Sequence, residues 1–221
     1  MKFTTEAIDS LRHSVGDRLS LYRTNHTLGV EQMAVKLAEY CLPDRVDEIR
    51  AAALLHDISK ELSSEEQMSM LMSVDGITDS DLMSAPAHHA FTAPLVVRRD
   101  FSEFATTDVL SALFNHTTGA PDMSVFDEII FIADYIEPGR KYPMSISLRE
   151  RLMASLEAAR DGDECVARLH DAVIESLDNT IRSLVDGKKI INERTVSTRN
   201  AFIARRPMPI QDSDLGEING K

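Results

Sequence analysis

Tryptophan is absent from this chain, and aromatic residues of all kinds make up only 5% of it. Cysteine occurs twice, at Cys41 and Cys165. Two thiols in apolar helical contexts make neither a disulfide framework nor a zinc spacing, and both read as small core residues. No window approaches the ~20 apolar residues that a membrane span requires, so no membrane partner is expected. The opening MKFTTEAIDS lacks the apolar core of a signal peptide, which makes the cytoplasm the expected location. Positive charge is also scarce: 24 Lys and Arg stand against 36 Asp and Glu, for a net charge of −12. That balance opposes the phosphate neutralisation on which non-specific nucleic-acid binding rests, and no nucleic-acid partner is expected. An anionic small molecule remains compatible with it, given a local metal or basic cluster. Arg23, Lys60, Arg98, Arg99, Arg140 and Lys141 are the candidates, of which Arg98 and Arg99 read as solvated surface charge.

Strand signals are weak too. There is no sustained alternation and no Asn-Gly turn between apolar runs, so the expected fold is all-α. With 221 residues, 43% of them apolar, the chain can bury one large core. Helices are expected from Thr4 or Thr5 to Gly16, from about Thr24 to Cys41, and from Asp44 to about Ile58. Ser63 or Ser64 with Glu66 resembles a capping arrangement for a short helix to Val74, and VDGITDSDLMSAPAHH reads as the loosest stretch of the first half. Further helices are expected over Ala87–Asp100, Thr106–His116, from Ser124 to Pro138, over Leu148–Arg160, and over Asp163–Val185. Residues 192 to 205 offer one last turn or two. One domain over 1–205 is expected, with a mobile Pro-rich and polar tail from 206 to 221.

AALLHDISK, residues 52 to 60, changes character halfway. Burying Leu54 and Leu55 draws His56 and Asp57 to the edge of the core, where an ionised carboxylate is costly unless a cation or donors meet it. The pair suits a shared metal or an ordinary helix end. In DEIIFIADYIEPGR, Asp134 follows an unbroken apolar run from Ile129 to Ala133 and must likewise find a metal or an arginine. His26, His56, His89 and His116 all lie at helix ends or polar breaks. His116 is followed by Thr117-Thr118-Gly119, whose hydroxyls and amides suit an anion. Each of these features alone has an ordinary structural explanation.

Together, His26, His56-Asp57 and a late Asp134 follow the order H…HD…D of the HD-domain metal-dependent phosphohydrolases. RTNHTLGV, LLHDISK, HHAFTAPLV, NHTTGAP and FIADYIEPGR resemble, in order and spacing, the motifs of the bacterial YqeK-type HD proteins, the symmetrical diadenosine tetraphosphate hydrolases. The resemblance covers roughly residues 20 to 200 and implies an HD-domain helical bundle. It implies His26, His56, Asp57 and Asp134 as metal ligands, iron being the usual ion, with Mn, Co or Zn as alternatives. Asp57, Lys60, His89 and His116 would carry the catalysis. Arg23, Asp57, Ile58, Ser59, Lys60, His89, His116, Thr117, Asp134 and Arg140 would hold the nucleotide and its phosphates. Leu177, Asp178, Asn179, Thr180, Ile181 and Arg182 would close over the nucleoside. After its histidine-threonine motif the family commonly carries Gly-Arg-Pro-Gly, whereas this chain has Gly119-Ala120-Pro121-Asp122, one cation fewer.

The implied reaction is hydrolysis of a phosphoanhydride, which needs an activated water, in-line geometry and cations on the non-bridging oxygens. Lys60, His89, His116 and Arg140 would meet the remaining charge, and His89 or His116 would protonate the leaving ADP oxygen. Hydrolysis of a nucleoside monophosphate or a guanosine alarmone is the nearest competing reading. A non-catalytic nucleotide sensor is a further one, although a scaffold has no reason to keep Asp134 in an apolar run. The implied partner is a small-molecule nucleotide, and a homodimer is compatible with the sequence.

Overall fold

The computed structural model describes residues 3–205; the tail from 206, expected to be mobile, lies outside the described residues. Eleven α-helices and three short 3-10 turns make up the secondary structure, with no strand among the described residues. α1 (Thr5–Arg18) and α2 (Leu21–Cys41) open the bundle, and α3 (Val46–Leu55) packs along α2. α4 (Ser64–Leu71) and α5 (Asp79–Met83) are short, α6 (His88–Asp100) and α7 (Thr107–Asn115) pair, and α8 (Val125–Ile136) runs through the centre. α9 (Pro143–Glu157), α10 (Gly162–Asp186) and α11 (Glu193–Arg205) complete the molecule, α10 packing against α8, α9 and α11.

Side-chain caps set most of the helix starts. Thr4, Ser20, Thr106 and Asp161 each accept a first-turn N–H, and Ser63–Glu66, Thr78–Asp81 and Ser124–Asp127 form reciprocal capping boxes. One contiguous apolar core runs from α1 to α11, and Val30, Leu37, Ile49, Leu54, Ile129, Ile132 and Phe202 are buried in it. A smaller cluster of Leu71, Ala87 and Phe91 lies under α4 and α6.

Four elements depart from the sequence expectation. α3 stops at Leu55 rather than near Ile58, and the chain tightens into turns in which Ile58 N–H donates to Leu55 O at 3.1 Å and Lys60 N–H to Asp57 O at 2.9 Å. α9 starts at Pro143, five residues before Leu148, because proline is pre-set for a first helical turn. The supposedly loose segment contains α5, which its own capping box nucleates. α11 has 13 residues instead of a turn or two. Its start is anchored by the buried Asp81, which accepts from Asn192 Nδ2 at 3.0 Å and from Arg194 Nε at 3.1 Å. That tie spans more than a hundred residues and leaves no local signature.

Candidate metal centre

Because α3 ends at Leu55, His56 and Asp57 leave the helix axis and turn into the space between α2, α6, α7 and α8. His56 is fully buried, and its Nδ1 lies 2.7 Å from Ala53 O. His116, at the end of α7, repeats the arrangement with Nδ1 at 2.7 Å from Leu113 O. Donation to a backbone carbonyl fixes the tautomer in both rings and leaves each Nε2 with a lone pair aimed inward. His26 comes from α2, and its Nδ1 lies 3.2 Å from a carboxylate oxygen of Glu137.

These Nε2 atoms surround Asp57. Its Oδ2 lies 3.6 Å from His26 Nε2, 3.5 Å from His56 Nε2 and 2.6 Å from Arg23 Nη1. Its Oδ1 lies 3.2 Å from His89 Nε2 and 4.0 Å from His116 Nε2. Asp134, at the last turn of α8, brings Oδ1 to 3.1 Å from His26 Nε2 and to 2.5 Å from Arg140 Nη2. Two sets able to hold an ion result: His26, His56 and Asp134 on one side, Asp57, His89 and His116 on the other. The donors of each set lie within 4.8 Å of one another. The rings of His26 and His56 bring their Nε2 atoms to 3.4 Å, a separation that needs a proton or a cation between two lone pairs. A mixed imidazole and carboxylate set suits a divalent transition metal. The residues present therefore fit a bound metal.

The electrostatics agree. Burial works against the Asp57 carboxylate, but the charges of His56 and His89 and a hydrogen bond from His89 hold its pKa well below the ordinary range. Burial likewise opposes ionised Asp134, and His26 and Arg140 outweigh it, so its pKa also falls well below that range. Burial would lower His26, yet its hydrogen bonds to Asp134 and Glu137 push it up to about 9. Burial first, then His89 and His56, drop His116 to about 3, which keeps it neutral.

The HD domain family model matches residues 23–139, just over half the chain and the stretch that carries every one of these donors. The chain belongs to the HD domain family. Among curated relatives, the symmetrical bis(5'-nucleosyl)-tetraphosphatase of Halalkalibacterium halodurans is 31% identical over 86% of this chain and 93% of its own length. The enzyme of that name from Bacillus subtilis is 28% identical over 86% of this chain and 94% of its own. Among solved structures, a predicted HD superfamily hydrolase involved in NAD metabolism from Clostridium acetobutylicum superposes with a TM-score of 0.77 at 28% identity, covering 93% of this chain and all of that one.

In this HD protein the other expected site residues take varied positions. Lys60 Nζ lies 2.9 Å from His89 Nδ1 and 3.2 Å from Pro86 O. Thr117 Oγ1 is 3.3 Å from His89 Nε2. Ile58 is buried in the apolar core, and Ser59 Oγ bonds His89 O at 2.8 Å and Thr92 Oγ1 at 2.9 Å, bracing the histidine from behind. Of the α10 segment, Leu177 is core, Asp178 pairs with Arg199 at 2.8 Å, Arg182 donates to Asn179 at 2.9 Å, and Ile181 is half-buried. Asn179 is buried, and Thr180 faces a cavity that Thr117 and Thr118 also line. His88, beside His89, turns away and bonds Leu82 O at 3.0 Å.

Glu137 is the participant that motif reading passed over. It is buried, accepts a short bond from Gly139 N–H, and sits where a Cβ on Gly29 would come within 2.5 Å of its Oε2. Burial opposes its charge, but His26 and the Gly139 amide lower its pKa. The pairing of Gly29 one turn after His26 with Glu-Pro-Gly one turn after Asp134 was the available signal.

Proposed function

We propose that this protein is a metal-dependent hydrolase that splits diadenosine tetraphosphate and related dinucleoside polyphosphates symmetrically, releasing two molecules of ADP. The observation that carries this reading is the convergence of His26, His56, Asp57 and Asp134 at the edge of the core, ringed by Arg23, Lys60 and Arg140 in a chain of net charge −12. Relatives named for that activity, matched over more than nine-tenths of their length, support it. His26, His56, Asp57 and Asp134 would hold the ion, iron being the first choice and Mn, Co or Zn also suited to the donors. When bound, the ion supplies Lewis acidity and a water acidic enough to ionise near neutral pH.

The chain's own groups do the rest. Arg23 and Arg140, both already on carboxylates, are pre-oriented to donate to phosphate oxygens. Donation from Lys60 to His89 Nδ1 makes that nitrogen an acceptor and puts the ring proton on Nε2. His89 would then give its Nε2 proton to the leaving ADP oxygen while Nδ1 takes one from Lys60, whose pKa burial lowers, so that the ring ends neutral, with Thr117 Oγ1 beside it. Asp57 Oδ1 at 3.2 Å and the Nε2 lone pair of neutral His116 at 3.0 Å are the two acceptors that face that proton.

Purified protein, loaded in turn with iron, manganese, cobalt and zinc, is assayed by chromatography against a nucleotide panel. ADP as the sole nucleotide product of diadenosine tetraphosphate is expected. Faster cleavage of simple monophosphates or of a guanosine alarmone, or release of ATP and AMP from the dinucleotide, would overturn the assignment.

A further inference from the structure

A substrate with a nucleoside at each end and its scissile bond in the middle needs a base-holding site on either side of the reacting centre. The polar centre has two ends. At one, Thr117 lies against His89 and Pro86 O accepts from Lys60. Beyond them opens a cavity of about 490 Å³ whose walls include Met83, Thr180, Leu184 and Ile190. This is the end toward which the α10 segment contributes. At the other end His26, Arg23 and Arg140 border a second cavity of about 620 Å³, into which Asn25, Gln32, Tyr22 and Tyr142 also face. Nothing in the hydrolytic step uses those last four.

We propose that this second cavity is the subsite for the distal nucleoside, with Tyr22 and Tyr142 as stacking platforms for its base; the proposal rests on the dinucleotide reading above. Aromatic residues are few here, four tyrosines and no tryptophan in the whole chain. Two of those four stand 78% and 67% exposed, and both line the same cavity. A single exposed aromatic needs no explanation, but two on one concavity that opens on a metal centre form a recognition surface. Their backbones are placed by helix starts, Tyr22 in the first turn of α2 behind the Ser20 cap and Tyr142 directly before Pro143, where α9 begins. The rings are thus free to meet a ligand without reordering the main chain.

Charge points the same way. Arg23, Arg140 and Lys141 line the cavity, and its one carboxylate, Glu137, is committed to His26 and the Gly139 amide. The guanidinium of Arg23 lies 5.8 Å from the Tyr22 ring centroid, so a cation for a phosphate and a ring for a base stand side by side. Asn25 and Gln32 add amides able to bond a base edge or a ribose hydroxyl. The order from one cavity to the other is tyrosines, Arg23 and Arg140, His26 and Asp134, Asp57, His89, Thr117. That sequence of groups matches base, phosphates, scissile bond, phosphates, base.

The test compares two substrates of equal phosphate length, diadenosine tetraphosphate and adenosine 5'-tetraphosphate, which carries one base. With metal-loaded wild type, the second adenosine should lower the Michaelis constant about tenfold, the worth of one stacked base. In Tyr22→Ala/Tyr142→Ala that advantage should collapse to less than twofold, while kcat for the dinucleotide changes little. Tyr22→Phe/Tyr142→Phe should restore it, since stacking needs the ring and not the hydroxyl. Tyr142→Ala alone, probed in the same way, should lose part of the advantage. A wild type that gains nothing from the second adenosine, or a double alanine variant that keeps the gain with its helical spectrum and metal content intact, overturns the subsite. Failure of the wild type to release ADP from either substrate is a different result: it removes the hydrolytic reading and the subsite with it.

Discussion

Asp57 presents one carboxylate oxygen to His26, His56 and Arg23 and the other to His89 and His116. It is the carboxylate that faces the histidines of both halves of the centre, a role that a neighbouring ring cannot take over. Removing it also leaves Arg23 and a protonated His26 buried beside each other without their anion, which costs more than the missing contacts. Asp57→Ala should therefore lose both bound metal and hydrolysis, each by more than about a hundredfold, since mutating even an outer partner of a ligand typically costs ten- to a hundredfold. Asp122 stands exposed in the loop after α7. Asp122→Ala should keep metal content and rate within about twofold, the usual outcome for a surface change remote from any special feature. Elemental analysis beside a single-substrate assay reads both variants. Full metal occupancy in the Asp57 variant would mean that the coordination is wrong.

Gly29 on α2 faces Glu137 just past the end of α8, and here an element-level contact bears on His26, a proposed ligand. Glu137 orients the His26 ring only because nothing projects from Gly29 on the facing turn. A methyl group at Gly29 would come within 2.5 Å of Glu137 Oε2 and push the carboxylate off the imidazole rather than unfold the helix. Gly29→Ala should thus keep helix content, since alanine is the better helix former, yet weaken metal binding about ten- to a hundredfold, as loss of an outer-sphere partner does. Glu137→Gln should do the same. A metal titration by calorimetry decides, and unchanged affinity in both variants would detach Glu137 from the centre. The same contact shows where sequence reading stops. His56, Asp57 and Asp134 could be picked out because each ends an apolar stretch whose burial brings the polar group to the core edge, whereas His26, near the start of α2, came from the order of the motifs alone. Glu137 could not be picked out, because its role depends on an empty space on another helix. α11 was underestimated for a similar reason: its cap, Asn192, whose Oδ1 accepts from Arg194 N–H at 2.8 Å, is itself held by Asp81, far away in the chain.

Across the whole molecule, a chain of net charge −12 gathers Arg23, Lys60 and Arg140 around buried Asp57 and half-buried Asp134, and the balance there depends on what fills the centre. Without metal the missing cation is supplied by a proton on His26, held up to about 9 from its ordinary 6.5 once burial is outweighed by Asp134 and Glu137. The sign follows from linkage. A group whose folded pKa is raised contributes its full stability below about pH 6.5 and loses it as pH climbs through about 9. Asp57 and Asp134, held low, contribute above the ordinary carboxylate range and lose their share only as pH falls through their depressed values. Metal-free protein should therefore weaken on the alkaline side, by about 3 kcal/mol at the limit of one fully titrated histidine. With an ion bound, the His26 lone pair is taken and no proton can be lost there, so the metal-loaded protein should show no such decline between pH 6.5 and 9.5. Metal uptake below about pH 9 should correspondingly release a proton. Urea unfolding of chelated and metal-loaded samples across that range measures the difference. Parallel stability curves for the two forms would show that His26 is not the group that changes places with the ion.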